Sequence, residues 1–72
     1  MYSRIRDLRE DRDLNQTQVA KILGISQTGY SKYETGENDI PTLMLIRLAQ
    51  FYNTSIDYLL GLTNESKPYP KN

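Results

Sequence analysis

The chain has 72 residues, of which nine are Lys or Arg and nine are Asp or Glu, so its formal net charge at pH 7 is zero. That balance supplies no bulk positive charge to attract nucleic acid or a membrane surface. Cys and His are both absent, which removes disulfides, thiolate metal sites and the commonest general base. A chain this short holds one domain and has little room for an enclosed substrate pocket. The composition therefore disfavours an enzyme and favours a small binding module.

Signals for export or membrane insertion are missing from the sequence. No stretch approaches the ~20 apolar residues that a membrane-spanning helix needs. Residues 1–12 are rich in charge and lack the apolar centre of a signal peptide. Together with the absence of Cys, this pattern predicts a cytoplasmic protein with no membrane partner.

Apolar residues recur with helical spacing from Tyr2 to Leu60, and no segment shows the sustained alternation of a strand. The sequence therefore predicts an all-α domain over residues 1–62. Its helices are predicted at residues 3–12, 16–23, 27–34, 41–52 and 55–60. Residues 63–72 offer no apolar face and are predicted to form a flexible C-terminal tail. With only this tail beyond the helices, we expect no sensory domain.

Start and stop signals flank the second and third helices. Asn15 is a suitable N-cap for the second helix, and Gln18 follows three residues later, as in a capping box. Gly24 suits the left-handed residue that commonly ends a helix, and Ser26 is a suitable cap for the third. Because only residues 24–26 separate the two helices, a sharp angle between them is predicted. This is the geometry of a helix-turn-helix.

The third helix is predicted to have one apolar and one polar side. Tyr30 and Tyr33 are three residues apart and share a face of the helix. Packing of their rings in the core is therefore favoured over the alternative, which is stacking on a nucleic-acid base. The outer side carries polar and basic side chains, namely Gln27, Thr28, Ser31 and Lys32. Residues 16–33 contain two lysines and no acid, which gives this unit a charge of +2 within a neutral chain.

The fourth helix carries more apolar residues than one buried face requires. The helical template predicts a buried stripe on one side, with Leu43 and Ile46 projecting away from it. The stripe consists of Leu45, Leu48, Ala49 and Tyr52, with Met44 and Phe51 on its flanks. The surplus apolar surface is a candidate for packing against the fifth helix or for contact with a second copy of the chain.

Arg9 shares a face of the first helix with Ile5 and Leu8, where a guanidinium needs an anionic partner. Glu34, beside Tyr30 on the inward edge of the third helix, is the predicted partner. We assign the two residues a structural role as an ion pair. Phosphate binding by Arg9 is the alternative.

Several segments resemble the Cro and phage-repressor type of helix-turn-helix, the XRE family, over about residues 3–62. The matching residues are Leu14-Asn15-Gln16, Val19-Ala20, Leu23-Gly24, Ser26-Gln27, Tyr30-Ser31-Lys32-Tyr33-Glu34, Gly36, Pro41, Leu48-Ala49 and Ser55-Ile56-Asp57-Tyr58-Leu59-Leu60-Gly61. The resemblance implies a compact five-helix, lambda-repressor-like domain. It also implies a sequence-specific regulator of transcription that binds double-stranded DNA, expected to be a repressor and found at the nucleoid when bound.

In similar domains the third helix, here about residues 27–34, enters the major groove. The positions that would meet base edges are Gln27, Thr28, Ser31 and Lys32. The positions that would meet the DNA backbone are Gln16, Thr17, Lys21, Tyr33 and Asn38. Similar proteins also have an Arg–Glu pair at the positions of Arg9 and Glu34.

Similar repressors dimerise near the fifth helix, so the resemblance implies a homodimer on a palindromic site. Half-site centres would lie about 34–36 Å apart, or about 10–10.5 bp. An alternative is a protein-interaction module such as an antitoxin or antirepressor, favoured by the neutral charge and by Glu37 and Asp39 in the loop after the third helix. No catalytic residue, metal, cofactor or small-molecule ligand is predicted.

Overall fold

The computed structural model describes residues 3–68, and within that range it contains helices and no strand. The helices are α1 (Ser3–Asp11), α2 (Gln16–Leu23), α3 (Gln27–Thr35), α4 (Thr42–Phe51) and α5 (Ile56–Leu59). The predicted all-α class is confirmed, and each helix end lies within about one residue of its predicted position. Across the same residues, no helix is both long enough and apolar enough to cross a membrane.

Side-chain caps fix the starts of three helices. The Asn15 carboxamide accepts a hydrogen bond from the Gln18 backbone N–H, and the Gln18 side chain accepts one from the Asn15 N–H, both at 2.8 Å. Ser26 and Ser55 use their hydroxyl oxygens in the same way at the starts of α3 and α5. Each cap satisfies a backbone donor that the helix itself leaves unpaired, at a typical gain of ~1 kcal/mol. The predicted capping box is therefore confirmed.

The turn between α2 and α3 is held from several sides. Gly24 ends α2 with a φ of 75°, in the left-handed region. The next residue, Ile25, donates its N–H to the Ala20 carbonyl at 3.0 Å and packs its half-buried side chain against the core. The Arg47 guanidinium donates to the Leu23 carbonyl at 2.9 Å, so α4 caps the end of α2. These contacts fix the angle at which α3 leaves α2.

The hydrophobic core draws on every helix. Its fully buried large side chains are Ile5, Val19, Leu23, Tyr30, Leu48 and Leu59. Full burial of one such aliphatic side chain is worth roughly 1.5–3 kcal/mol. Because α3 contributes Tyr30 to this core, its inner side is anchored and its outer side is left to solvent.

The burial of two side chains of α4 differs from the prediction. Met44 was predicted on a flank but is buried, whereas Leu45, predicted in the stripe, is half-buried. Leu48 and Tyr52 follow Met44 at intervals of four, so this row faces the core. The cause is packing against α2 and α5, which rotates the helix about its axis relative to the stripe that its own pattern suggests.

Residues 63–68 lie against the helical domain. The Arg4 guanidinium donates to the Thr63 carbonyl at 2.6 Å and to the Asn64 side chain at 2.9 Å. The Thr54 hydroxyl donates to the Ser66 carbonyl at 2.6 Å. Residues 1–2 and 69–72 lie outside the described residues, and the flexibility predicted for the whole segment 63–72 stays a prediction.

Candidate nucleic-acid interface

The four side chains predicted to meet base edges lie on the outer side of α3. Gln27 and Thr28, in the first turn, are exposed, and Ser31 and Lys32, one turn later, are half-exposed. Residues four apart on a helix lie one above the other, so the four form one continuous polar patch. The opposite side of the same helix buries Tyr30. The helix therefore presents hydrogen-bonding groups outward from a rigid support.

The candidates for backbone contact lie on both helices of the motif and in the loop that follows. Thr17 and Lys21 are exposed on α2. Tyr33 is half-buried and packs edge-on against Tyr30, with ring centroids 6.5 Å apart. Asn38 is exposed, and its backbone N–H donates to the Lys32 carbonyl at 3.2 Å, which ties the loop to α3. Their contact with DNA stays a prediction.

Arg9 and Glu34 lie together at the base of this surface. Arg9 Nε is 2.7 Å from Glu34 Oε2, and Nη2 is 3.1 Å from Oε1, in a two-pronged pair. Their side chains are only 13% and 4% exposed. Arg9 also donates to the Leu14 carbonyl at 2.9 Å, and the Tyr30 hydroxyl donates to Glu34 Oε2. The pair thus joins α1 to α3 and to the start of the α2 segment.

The environment of Glu34 favours its ionised form. Burial alone would raise the pKa of this carboxyl, but hydrogen bonds from Arg9, Tyr30 and Gln16 outweigh burial and hold the pKa below its usual range. The same contacts act on Tyr30, whose pKa is raised by burial and by its bond to Glu34. At neutral pH the cluster therefore contains a carboxylate that only accepts hydrogen bonds and a tyrosine that still donates.

Gln16 connects this cluster to the outer surface. Its Nε2 donates to Glu34 Oε1 at 3.1 Å, and its Oε1 accepts from Gln27 Nε2 at 2.8 Å. Sequence reasoning assigned Gln16 to a DNA phosphate and did not find either bond. The available signal was positional, since Gln16 and Gln27 are the first residues of the two helices that the short turn joins.

The arginines of α1 and Arg12, which follows it, are engaged within the protein. Arg4 lies 4.0 Å from the centroid of the Tyr58 ring, and Arg12 donates to the Tyr52 carbonyl at 3.2 Å. Arg6 pairs with Glu10 at 2.7 Å on the exposed side of the helix. Between residues 3 and 68, Arg6 and Arg9 are the cations that lie within 4.0 Å of a carboxylate.

The lysines of α2 and α3 are the positive charges of the helix-turn-helix, and neither is in an ion pair among residues 3–68. Glu37 and Asp39 are exposed in the loop after α3, where the Thr35 hydroxyl donates to Glu37 at 3.3 Å. Among the described residues, no group of three or more acids could hold a metal ion. The surface around α3 is thus weakly basic, with acids at one end.

Comparison with known proteins places these features in a family. A helix-turn-helix family model matches residues 5–59. The HTH-type transcriptional regulator YobD of Bacillus subtilis is 39% identical over 69 residues, which cover 94% of this chain and 62% of YobD. The phage CTXphi transcriptional repressor RstR of Vibrio cholerae is 41% identical over 59 residues, covering 82% of this chain and 53% of RstR. The chain therefore spans only somewhat more than half the length of these relatives.

Solved structures agree with that assignment. The P22 c2 repressor, in complex with a synthetic operator, superposes with a TM-score of 0.74 at 31% identity, over 81% of this chain and 88% of that one. A transcriptional regulator from Listeria innocua superposes with a TM-score of 0.79 at 29% identity, over 90% of this chain and 62% of that one. The fold, the capped turn and the family match together establish that the chain belongs to the XRE-type helix-turn-helix family of Cro- and phage-repressor-like proteins.

Proposed function

We propose that this protein is a sequence-specific DNA-binding regulator of transcription that acts as a repressor. The observation that carries the proposal is the outer side of α3, where four polar side chains stand on a helix whose inner side is locked in the core. The likeness to a repressor crystallised on its operator supports the same reading. Binding at a promoter would block access to it, at the nucleoid within the cytoplasm.

The chemistry of the α3 surface suits the major groove. A glutamine amide offers the donor and acceptor that match adenine N6 and N7, so Gln27 would read adenine. Lys32 would donate to guanine O6 and N7, the methyl group of Thr28 would contact a thymine methyl, and Ser31 would bond to either kind of base edge. Each well-formed paired contact of this kind discriminates against a wrong base by ~1–3 kcal/mol.

Backbone contacts would orient the domain on the duplex. Free N–H groups at the start of α2, with the side chains of Gln16 and Thr17, would face a phosphate. Lys21, Tyr33 and Asn38 would flank the same groove. Because residues 16–33 carry only two lysines and the loop after α3 carries two acids, affinity would depend on base contacts and on two copies binding together more than on bulk electrostatics.

We also propose that the protein acts as a homodimer on a palindromic site. Leu43 and Ile46 on α4 are 53% and 39% exposed. Ile46 borders an open groove of about 620 Å³ between α4 and α5, which Ala49 and Ile56 also line. A second copy that covers this apolar surface would place two α3 helices one helical turn of DNA apart, about 34–36 Å. Ile46→Glu should therefore convert dimer to monomer in sedimentation equilibrium.

A protein-interaction module is the second candidate, because one relative carries a different kind of name. The antitoxin PezA of Streptococcus pneumoniae is 35% identical over 57 residues, which cover 79% of this chain and 36% of PezA. The exposed acids Glu37 and Asp39 would suit a basic protein partner better than a phosphate backbone.

Selection from a random pool of double-stranded DNA at low salt separates the two candidates. The proposed function predicts enrichment of an inverted repeat with half-site centres about 10–10.5 bp apart. Failure to enrich any sequence would contradict it and favour a protein partner. Enrichment of a single asymmetric site would support DNA binding and contradict the dimer.

A further inference from the structure

We propose that Arg47 is a positioning residue that sets the spacing between the two half-sites that the protein recognises. The inference rests on the proposed function, because it concerns a dimer that binds an inverted repeat. Arg47 is exposed on α4, and its Nη1 donates to the Leu23 carbonyl at 2.9 Å. The guanidinium thus joins the helix that carries the proposed dimer face to the first helix of the helix-turn-helix.

The Arg47 guanidinium lies at the turn between α2 and α3. The last four carbonyls of a helix have no partner within the helix. Leu23 is the last residue of α2, and its carbonyl takes its donor from α4. A Cβ placed on Gly24, the next residue, would lie 3.9 Å from Arg47 Nη1. A rotation of α4 relative to the helix-turn-helix would therefore lengthen or bend the bond from Arg47.

The proposed dimer face and the bond to α2 arise from the same turn of α4. Ile46 borders the groove between α4 and α5. Arg47 is the next residue, so it projects about 100° further around the helix axis, and its guanidinium reaches α2. In a dimer that packs through Ile46, the direction of each α3 helix would depend on how α2 is held against α4.

The bond from Arg47 differs in kind from the other contacts between α2 and α4. These helices also pack through the core, where Leu23 and Leu48 are fully buried. Apolar burial is non-directional, so it opposes separation of the helices more than a change in their angle. A hydrogen bond weakens steeply when its angle is distorted. Within residues 3–68, the Arg47–Leu23 bond is the hydrogen bond that joins α4 to the helix-turn-helix, so it restrains that angle.

Half-site spacing converts this angle into affinity. One base pair added between the half-sites moves one of them by about 3.4 Å and rotates it by about 35° relative to the other. A dimer on such a site would have to turn its reading helices relative to α4, which strains or breaks the bond from Arg47. One hydrogen bond of this kind is worth about twofold to tenfold in an equilibrium constant. The penalty for a wrong spacing should contain that factor.

Arg47→Met removes the hydrogen-bond donors and keeps an unbranched apolar stem. It should lower the penalty for a wrong spacing by about twofold to tenfold. The preference for bases within each half-site should not change, because the outer side of α3 is untouched.

Arg12→Met is the matched control. Arg12 is also exposed and also donates to a carbonyl at the end of a helix, that of Tyr52, at 3.2 Å. The substitution removes the same charge and the same kind of bond, but this bond does not reach α2 or α3. The penalty for a wrong spacing should therefore stay at the wild-type value.

The experiment measures the Kd of each protein for the inverted repeat that wild-type protein selects and for repeats with one central base pair added or removed. The readout is the ratio of the Kd at the altered spacing to the Kd at the selected spacing. Weaker folding or weaker dimerisation changes both values alike, and the cost of twisting the DNA is the same for every protein. A further duplex with one base changed in each half-site measures the base preference, and circular dichroism checks that each variant is folded.

Wild-type protein and Arg12→Met should share one spacing ratio, and Arg47→Met should have a smaller ratio with an unchanged base preference. A merely structural role for Arg47 would lower the Tm and leave the spacing ratio unchanged. Contact of Arg47 with a phosphate would weaken binding to all duplexes alike. Either result, or an equal fall of the ratio in Arg12→Met, overturns the inference while leaving the proposed function intact. If wild-type protein selects no inverted repeat, the proposed dimer fails, and the inference fails with it.

Discussion

Arg9→Ala should destabilise the protein severely. The substitution removes a guanidinium that binds both oxygens of Glu34 and the Leu14 carbonyl. It leaves the Glu34 carboxylate, whose side chain is 4% exposed, without its cation. Breaking a buried pair by deleting one partner costs about 3–5 kcal/mol, because the remaining charge stays buried. Residual exposure of Arg9 places the expected cost near the lower end, about 3 kcal/mol.

This cost is large for a domain of this size. Total stability at about 0.05–0.15 kcal/mol per residue would be about 4–11 kcal/mol. A loss of 1 kcal/mol lowers the Tm of a small domain by roughly 4–8 °C, so Arg9→Ala should lower it by about 12–24 °C. Thermal unfolding followed by the helical circular dichroism signal measures the Tm directly.

Arg6→Ala is the matched control on the same helix. Arg6 also pairs with a glutamate at 2.7 Å, but the two side chains are 66% and 52% exposed. Exposed pairs four residues apart on a helix contribute about 0.3–0.5 kcal/mol, so the Tm should fall by no more than about 4 °C. Equal Tm losses in the two variants, or an unchanged Tm in Arg9→Ala, would refute a structural role for the buried pair.

The buried carboxylate of Glu34 should make stability depend on pH, and the lysines of the helix-turn-helix should make DNA binding depend on salt. The pKa of Glu34 in the folded protein is held below its usual range. The ionised Glu34 therefore contributes its full stabilisation at pH values above the ordinary glutamate pKa of about 4.3, and this stabilisation is lost as the pH falls through the lower folded-state pKa. Urea titrations give the difference in unfolding free energy between wild-type protein and Glu34→Gln. This difference should be constant near neutral pH and should become smaller below about pH 4. A difference that stays constant in acid would contradict this prediction. For DNA binding, the two lysines of the helix-turn-helix predict a plot of log Kobs against log salt with a slope no steeper than about −4 for a dimer. Lys21→Ala should make that slope shallower by about 2, and an unchanged slope would remove Lys21 from the interface.

The features that the sequence predicted well depend on neighbouring residues. Asn15 caps α2 and Ser26 caps α3 through bonds to residues three positions away, so the necessary information lies within one turn of helix. Gly24 likewise adopts the left-handed conformation that its place after α2 indicates. These local signals were sufficient for the helix bounds and for the helix-turn-helix.

The features that the sequence missed depend on packing between distant segments. Met44 is buried instead of Leu45 because neighbouring helices, and not the pattern of α4, decide how that helix is rotated. The bond between Gln16 and Glu34 joins residues 18 positions apart and requires the angle between α2 and α3. Periodicity gives the face on which a side chain lies, but not the atom that it will meet.

Recognition of DNA by the outer side of α3 is tested most directly by the affinity of a double variant for the selected duplex. Gln27→Ala combined with Lys32→Ala removes two exposed or half-exposed side chains that have no part in the core, so the fold should be retained. Lys67→Ala, an exposed lysine outside the helix-turn-helix, is the control. The Kd of the double variant should rise at least about thirtyfold for each protomer bound, since each of the two lost contacts is worth ~1–3 kcal/mol, and that of the control should not change. A folded double variant that binds the selected duplex as tightly as wild-type protein would contradict recognition of DNA by α3.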